Sequence, residues 1–224
     1  MSLEIIEFES APDPRASLIV LHGLGADGHD FVPICEELDL SAAGAVRFVF
    51  PSAPPRPVSL NAGHVMRAWY DISQPSPGGV RREDEAGLRA SQATVQGLIE
   101  REIERGVPAQ RIVLAGFSQG CAMALMTGLR HPQRLAGIVA LSGYLPLAAT
   151  TEAEAHPANA GVPVFMAHGL FDPMVVLARA CSSRDRLRAL GYPVDWHEYP
   201  IEHSVCQDEI VDLNRWLLGV LGAA

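Results

Sequence analysis

Five short runs along the chain are apolar almost without interruption. They are "SLIVLHG" (Ser17–Gly23), "VRFVFP" (Val46–Pro51), "RIVLAGF" (Arg111–Phe117), "LAGIVALSG" (Leu135–Gly143) and "PVFMAHG" (Pro163–Gly169). Runs of this length without polar alternation suit strands of a parallel sheet covered on both faces. "PVDWHEYP" (Pro193–Pro200) is more polar and reads as a strand nearer an edge, and "LEIIEFE" near the start reads as an antiparallel edge strand. Between these runs the period changes to that of a helix. Leu88, Val95, Leu98, Ile99 and Ile103 share one face of a helix between Glu83 and Arg105. Asp172-Pro173 can open another, running to about Leu190 before Gly191. Ile210, Leu213, Trp216, Leu217 and Leu221 give the last stretch, from Val205, a helical stripe. Strand–helix alternation of this kind predicts an α/β fold with right-handed crossovers. Two stretches, Pro51–Gly79 and Leu145–Gly161, read as irregular, and neither an internal repeat nor a domain linker is visible.

Length and composition narrow the picture. At 224 residues, 48% of them apolar, residues 1–224 are expected to form one domain with a full core. A net charge of −9 offers no footprint for nucleic acid and opposes stable anchoring on an anionic membrane. The acidic "MSLEIIEFES" does not read as a signal peptide, and no run approaches the ~20 apolar residues of a membrane span. A cytoplasmic protein is the expectation. Cys35, Cys121, Cys181 and Cys206 lack paired spacing and read as reduced and mostly buried. All 17 basic side chains are arginine. Without lysine, a Schiff base, a Ser-Lys dyad and a Walker-type phosphate loop are excluded.

The strand beginning at Arg111 hands over to a helical pattern through Gly116-Phe-Ser118-Gln-Gly120. G-x-S-x-G arises by chance in about one chain in ten of this length at average usage, so its context decides. Here a strand precedes it and a helix follows, as a nucleophile elbow requires. Ser118 is the candidate nucleophile, at the carboxyl end of a strand where α/β sheets bind ligands. A serine needs a base, and the base needs an acid. His203, in the loop before the last helix, is the candidate base. His131 lies too far down the elbow helix, His156 is in an uninformative loop, His168 reads as buried support, and His197 lies within a strand. Asp172 is the candidate acid, although Asp before Pro is also an ordinary helix cap. The Gln119 and Leu24 amides are the expected oxyanion donors, the latter from "LHGLGADGHDF". Trp69 and Tyr70 read equally well as lining of an acyl pocket and as aromatics packed on the core.

Two motifs are decoys. Gly23-Leu-Gly25-Ala-Asp-Gly28 spells a dinucleotide fingerprint, but no acid ends the next strand. "HEYPIEH" approximates a zinc motif with the wrong spacing, and Pro200 breaks the helix that it needs.

"LHGLGADGHDF", "WYD", "AGFSQG", "LSGYLP", "HGLFDP" and "YPIEHSV" occur in an order that resembles the phospholipase/carboxylesterase family, which includes acyl-protein thioesterases and lysophospholipases. The resemblance spans nearly the whole chain. It implies an α/β-hydrolase core with a mostly parallel sheet, helices on both faces and no large cap domain. It also implies Ser118, Asp172 and His203 as a triad, Leu24 and Gln119 as oxyanion donors, and no metal or cofactor. Cys121 departs from the pattern, which usually has glycine there; it reads as a small buried group, with a redox-sensitive brake as the alternative. The expected function is a serine hydrolase of short to medium acyl esters, thioesters and lysophospholipids included. A dienelactone-type hydrolase, a peptidase and a non-catalytic binding module are the alternatives.

Overall fold

The computed structural model describes residues 3–73 and 82–222. The first two residues of the acidic start, and residues 74–79 of the stretch read as irregular, lie outside the described residues.

Seven strands form one sheet: β1 (Glu4–Glu9), β2 (Ala16–Leu21), β3 (Val46–Ser52), β6 (Ile112–Phe117), β7 (Gly137–Leu141), β8 (Val164–Gly169) and β9 (Val194–Tyr199). Their spatial order is β1-β3-β2-β6-β7-β8-β9. Only β1 runs antiparallel, on the outer edge against β3. Every residue of β2, β3, β7 and β8 is buried, which is why these runs carry no polar alternation. β9, at the opposite edge, keeps the mixed exposure that its polar sequence implies.

Alternate side chains of each strand feed opposite layers. Ile19, Leu21, Ile112 and Leu114 pack with α2 (Glu85–Glu104), α3 (Gln119–Arg130) and α5 (Leu177–Ala189). Leu18, Val20, Val113 and Ala115 pack with α1 (Val32–Glu36) and α6 (Gln207–Leu221). α3 is buried along its whole length, consistent with a sequence apolar almost all round.

Three expectations are corrected. Pro51–Gly79 contains a hairpin, β4 (Pro55–Val58) with β5 (His64–Arg67). Pro55 and Pro57 lack an N–H, but a two-stranded ribbon has free edges that do not require one. Likewise, Leu145–Gly161 contains a helical turn, α4 (Thr151–Glu154), followed by a 3-10 turn at Pro157–Asn159. The helix after β8 starts at Leu177, not Asp172, because the Asp172 carboxylate turns back to accept from the Met174 and Val175 N–H groups.

α6 carries a buried acid. Glu209, at its third residue, lies against the Cys206 N–H, the reach of a capping box. Burial pushes its carboxyl up to about 8. Between the ordinary carboxylate range and that value the folded chain holds a proton that the unfolded chain releases. Stability from this group is therefore full at low pH and declines as pH rises toward 8. Glu209→Gln should flatten that decline, read as denaturation midpoints at pH 5 and pH 8. Equal slopes in both proteins would contradict it.

Candidate active site

The sheet order reverses at β2, with β3 on one side and β6 on the other. Ligand clefts form at such a switch point, beyond the carboxyl ends of the strands. Ser118 stands there between β6 and α3, with φ 55° and ψ −113°. The turn closes only because its flanks have no side chains. A Cβ at Gly116 would lie 2.2 Å from the Gly120 oxygen, and one at Gly120 would lie 2.0 Å from the Leu21 oxygen. The Ser118 N–H, donating to the Leu141 carbonyl at 2.9 Å, ties the elbow to β7.

Two further loops converge on this hydroxyl. After β8, Leu170 donates to the Tyr199 carbonyl and Phe171 to the Ile201 carbonyl, at 2.8 and 3.0 Å. These bonds zip the loop bearing Asp172 to the loop bearing His203. The Ser118 hydroxyl lies 2.9 Å from His203 Nε2, and His203 Nδ1 lies 2.6 Å from Asp172 Oδ2. The Asp172 side chain is fully buried, while the His203 ring is 17% exposed. The other Asp172 oxygen takes the Met174 and Val175 N–H groups at 2.8 and 2.9 Å. His168 packs behind, with Nε2 2.7 Å from the Val175 carbonyl and 3.4 Å from Asp172 Oδ2. Such a chain can draw a proton from the hydroxyl and stabilise the imidazolium that results.

A cleft of about 320 Å³ opens over Ser118, lined also by Leu24, Gln119, Tyr70, Met174 and His203. That is the lower end of the size range of small-molecule sites. Among the described residues, neither the Leu24 nor the Gln119 N–H has a protein hydrogen-bond acceptor. Trp69 does not line this cleft: it is fully buried, and its indole donates to the His22 carbonyl at 3.0 Å. A tryptophan that finds a partner for its N–H is stable inside, and that settles the choice between lining and core.

Sequence reasoning missed how this scaffold is held. The Gln119 side chain accepts from the Trp69 N–H and donates to the Tyr70 carbonyl, both at 2.7 Å. Gln119 thereby pins the "WYD" segment to the elbow. His22 accepts from the Ala53 N–H at 2.9 Å and donates to the Gly23 carbonyl at 2.6 Å, fixing the loop that carries Leu24. Burial pulls its imidazole below the usual range, which keeps it neutral for both bonds. The only sequence signal was a polar residue inside an apolar run. Gln119→Ala strands two buried backbone groups and should cost on the order of 2 kcal/mol or more, seen as a lowered denaturation midpoint. An unchanged midpoint would mean that water replaces the amide.

The decoys resolve. The Gly23–Gly28 loop packs against the elbow, where a Cβ at Gly23 would lie 3.4 Å from the Ser118 Cβ. His197 stacks on Phe165 and pairs with Asp195, apart from His203. No group of three or more metal-binding side chains occurs among the described residues. All four cysteines are free; Cys35 and Cys121 are buried, and Cys181 and Cys206 are half-buried. Burial pushes the Cys121 thiol far above its ordinary range, so it is no ready thiolate. Among the described residues no helix is long and apolar enough to cross a membrane.

The chain is 43% identical over 210 residues to acyl-protein thioesterase 1 of Neurospora crassa, covering 90% of this chain and 85% of that one. It is 40% identical over 206 residues to the Yarrowia lipolytica protein of the same name, covering 90% of each. Among solved structures, Zea mays acyl-protein thioesterase 2 superposes with a TM-score of 0.83 at 30% identity, over 97% of this chain and 99% of that one. Arabidopsis thaliana SOBER1 gives a TM-score of 0.83 at 28% identity, over 93% and 100%. The family model described as Phospholipase/Carboxylesterase matches residues 3–220. With an α/β-hydrolase sheet, a serine elbow and relatives over nearly its full length, this chain belongs to the phospholipase/carboxylesterase family and is a hydrolase.

Proposed function

We propose that the protein cleaves carboxylic esters and thioesters of short to medium acyl chains through an acyl-enzyme on Ser118. The observation that carries this reading is the unbroken hydrogen-bonded path Ser118–His203–Asp172 at the floor of the cleft. Ser118 Oγ attacks the acyl carbon while His203 Nε2 takes its proton. The carbonyl electrons move onto oxygen, and the free Leu24 and Gln119 N–H groups receive that charge. Each such donor is worth about 3 kcal/mol in comparable sites. The intermediate collapses, the bond to the leaving oxygen or sulfur breaks, and His203 returns the proton to it. Water, activated by the same imidazole, then frees the acid and restores Ser118.

The reading treats residues 1–224 as one catalytic unit, supported by a family match over residues 3–220. The free cysteines and the absence of a membrane-crossing helix among the described residues agree with a cytoplasmic enzyme on small acyl substrates. Neither a dienelactone-type hydrolase, a peptidase nor a binding module is favoured by the relatives.

The test is a hydrolysis profile on p-nitrophenyl esters of two to sixteen carbons, with S-acyl thioesters of the same acids in parallel. In a cleft of about 320 Å³, kcat/KM should peak at short or medium chains and fall for the longest. A peak at sixteen carbons would overturn the chain-length assignment. No hydrolysis of any ester or thioester would overturn the activity.

A further inference from the structure

One side chain of the cleft has no part in the chemistry above. Arg179, in the first turn of α5, lines the same cleft as Ser118 and His203. Its guanidinium carbon sits 3.3 Å from the centroid of the Tyr144 ring. Tyr144 is itself held by the Tyr70 hydroxyl at 2.8 Å, and both rings are buried. The contact holds the guanidinium over the ring and removes much of the rotamer freedom that an exposed arginine keeps.

The fork reaches the Tyr144 hydroxyl but no carboxylate lies within hydrogen-bond distance of it. The nearest carboxylate, Glu83, lies 3.9 Å away, too far for a hydrogen bond, and its other oxygen accepts from the Leu147 N–H at 3.1 Å. Among the described residues, no carboxylate or carbonyl accepts from the Arg179 guanidinium. Arg47, Arg89 and Arg130, by contrast, each donate to a glutamate. The remaining charges of the cleft are Asp71, Asp84 and Arg82. Asp71 accepts from the Ser59 N–H and hydroxyl. Asp84 accepts from the Gly87 and Asp71 N–H groups. Those two carboxylates are held in local turns, and beside Arg82 the cleft presents Arg179 as a fork held over the Tyr144 ring, with N–H groups to spare for a ligand.

We propose that Arg179 is a specificity residue that selects substrates bearing a carboxylate besides the bond to be cleaved. This rests on the hydrolase reading above. A planar fork matches a carboxylate through two parallel N–H···O bonds, and an apolar acyl tail gains nothing from it. Glu83 acts in the opposite sense, since it repels the incoming anion. The substrate carboxylate can stand on the acyl side, as in a half-ester of a dicarboxylic acid, or on the leaving group, as in an ester of a hydroxy acid.

The experiment compares paired esters, with rates normalised to the sites that react with a fluorophosphonate. On the acyl side, p-nitrophenyl hemiglutarate is set against p-nitrophenyl pentanoate. On the leaving side, the acetate ester of 4-hydroxybenzoate is set against phenyl acetate. In one of the two arms, Arg179→Met should lower the charged-to-neutral ratio of kcat/KM by about 10- to 100-fold relative to the unaltered enzyme. Arg179→Lys should fall between, and Glu83→Gln should raise the ratio. A merely structural arginine would not move the ratio in opposite directions in the two kinds of variant. Ratios unmoved in both arms, while neutral esters still turn over, overturn the role of Arg179 alone. No turnover of any of the four esters by the unaltered enzyme overturns the hydrolase reading with it. Should Arg179→Met not fold, Arg179→Gln decides: a lowered ratio supports the proposal and an unchanged one refutes it.

Discussion

Ser118→Ala should lower kcat on a p-nitrophenyl ester by about 10⁵- to 10⁶-fold and leave the fold intact. The size follows from how the three side chains are coupled. With the hydroxyl gone, His203 Nε2, 2.9 Å from it in the unaltered protein, has no proton to accept, and Asp172 has no imidazolium to stabilise. Removing His203 as well should therefore cost little more. The residual rate would come from the free Leu24 and Gln119 N–H groups acting on a substrate attacked by water. The hydroxyl donates to nothing but His203 in the described structure, so circular dichroism and the denaturation midpoint should barely move. Labelling by a fluorophosphonate should vanish in the same variant. Retained turnover would mean that another residue is the nucleophile.

Asp172→Asn should be nearly as damaging, about 10⁴-fold in kcat, for a reason written into its local bonds. One oxygen of Asp172 is claimed by the Met174 and Val175 N–H groups, at 2.8 and 2.9 Å. An asparagine keeps those bonds only by turning its single oxygen toward them. Its NH₂ then faces His203 Nδ1, which must become an acceptor. The ring proton moves to Nε2, and the nitrogen facing Ser118 can no longer take a proton. The loss is one of tautomer, not of shape. The ¹⁵N shifts of His203 should accordingly exchange between the two ring nitrogens, while stability changes little. A drop of less than tenfold, with the tautomer unchanged, would remove Asp172 from its proposed place.

The parts of this architecture that were legible in the sequence are those governed by burial. β2, β6, β7 and β8 are flanked by strands and covered on both faces, so their apolar runs carried the signal directly. Ser118, Asp172 and His203 were readable because each follows the carboxyl end of a strand, and strand ends are easy to place. What escaped were contacts between segments distant in sequence. The β4–β5 hairpin hid behind prolines that a covered sheet would reject and a free ribbon accepts. The start of α5 was misplaced because Asp172 caps a turn before the helix. Arg179 was invisible for a plainer reason: an arginine in the first turn of a helix reads as a solvated charge until the Tyr144 ring beneath it is seen.

The left-handed backbone at position 118, φ 55°, limits what other reactive atom this fold can ever present there. A threonine would bring a second γ-branch into a conformation that branched side chains avoid. Cysteine has a single γ atom, as serine does, and fits the same turn. Exchange of nucleophile in this architecture therefore runs between oxygen and sulfur on an unbranched side chain, and a secondary alcohol is barred by its methyl group.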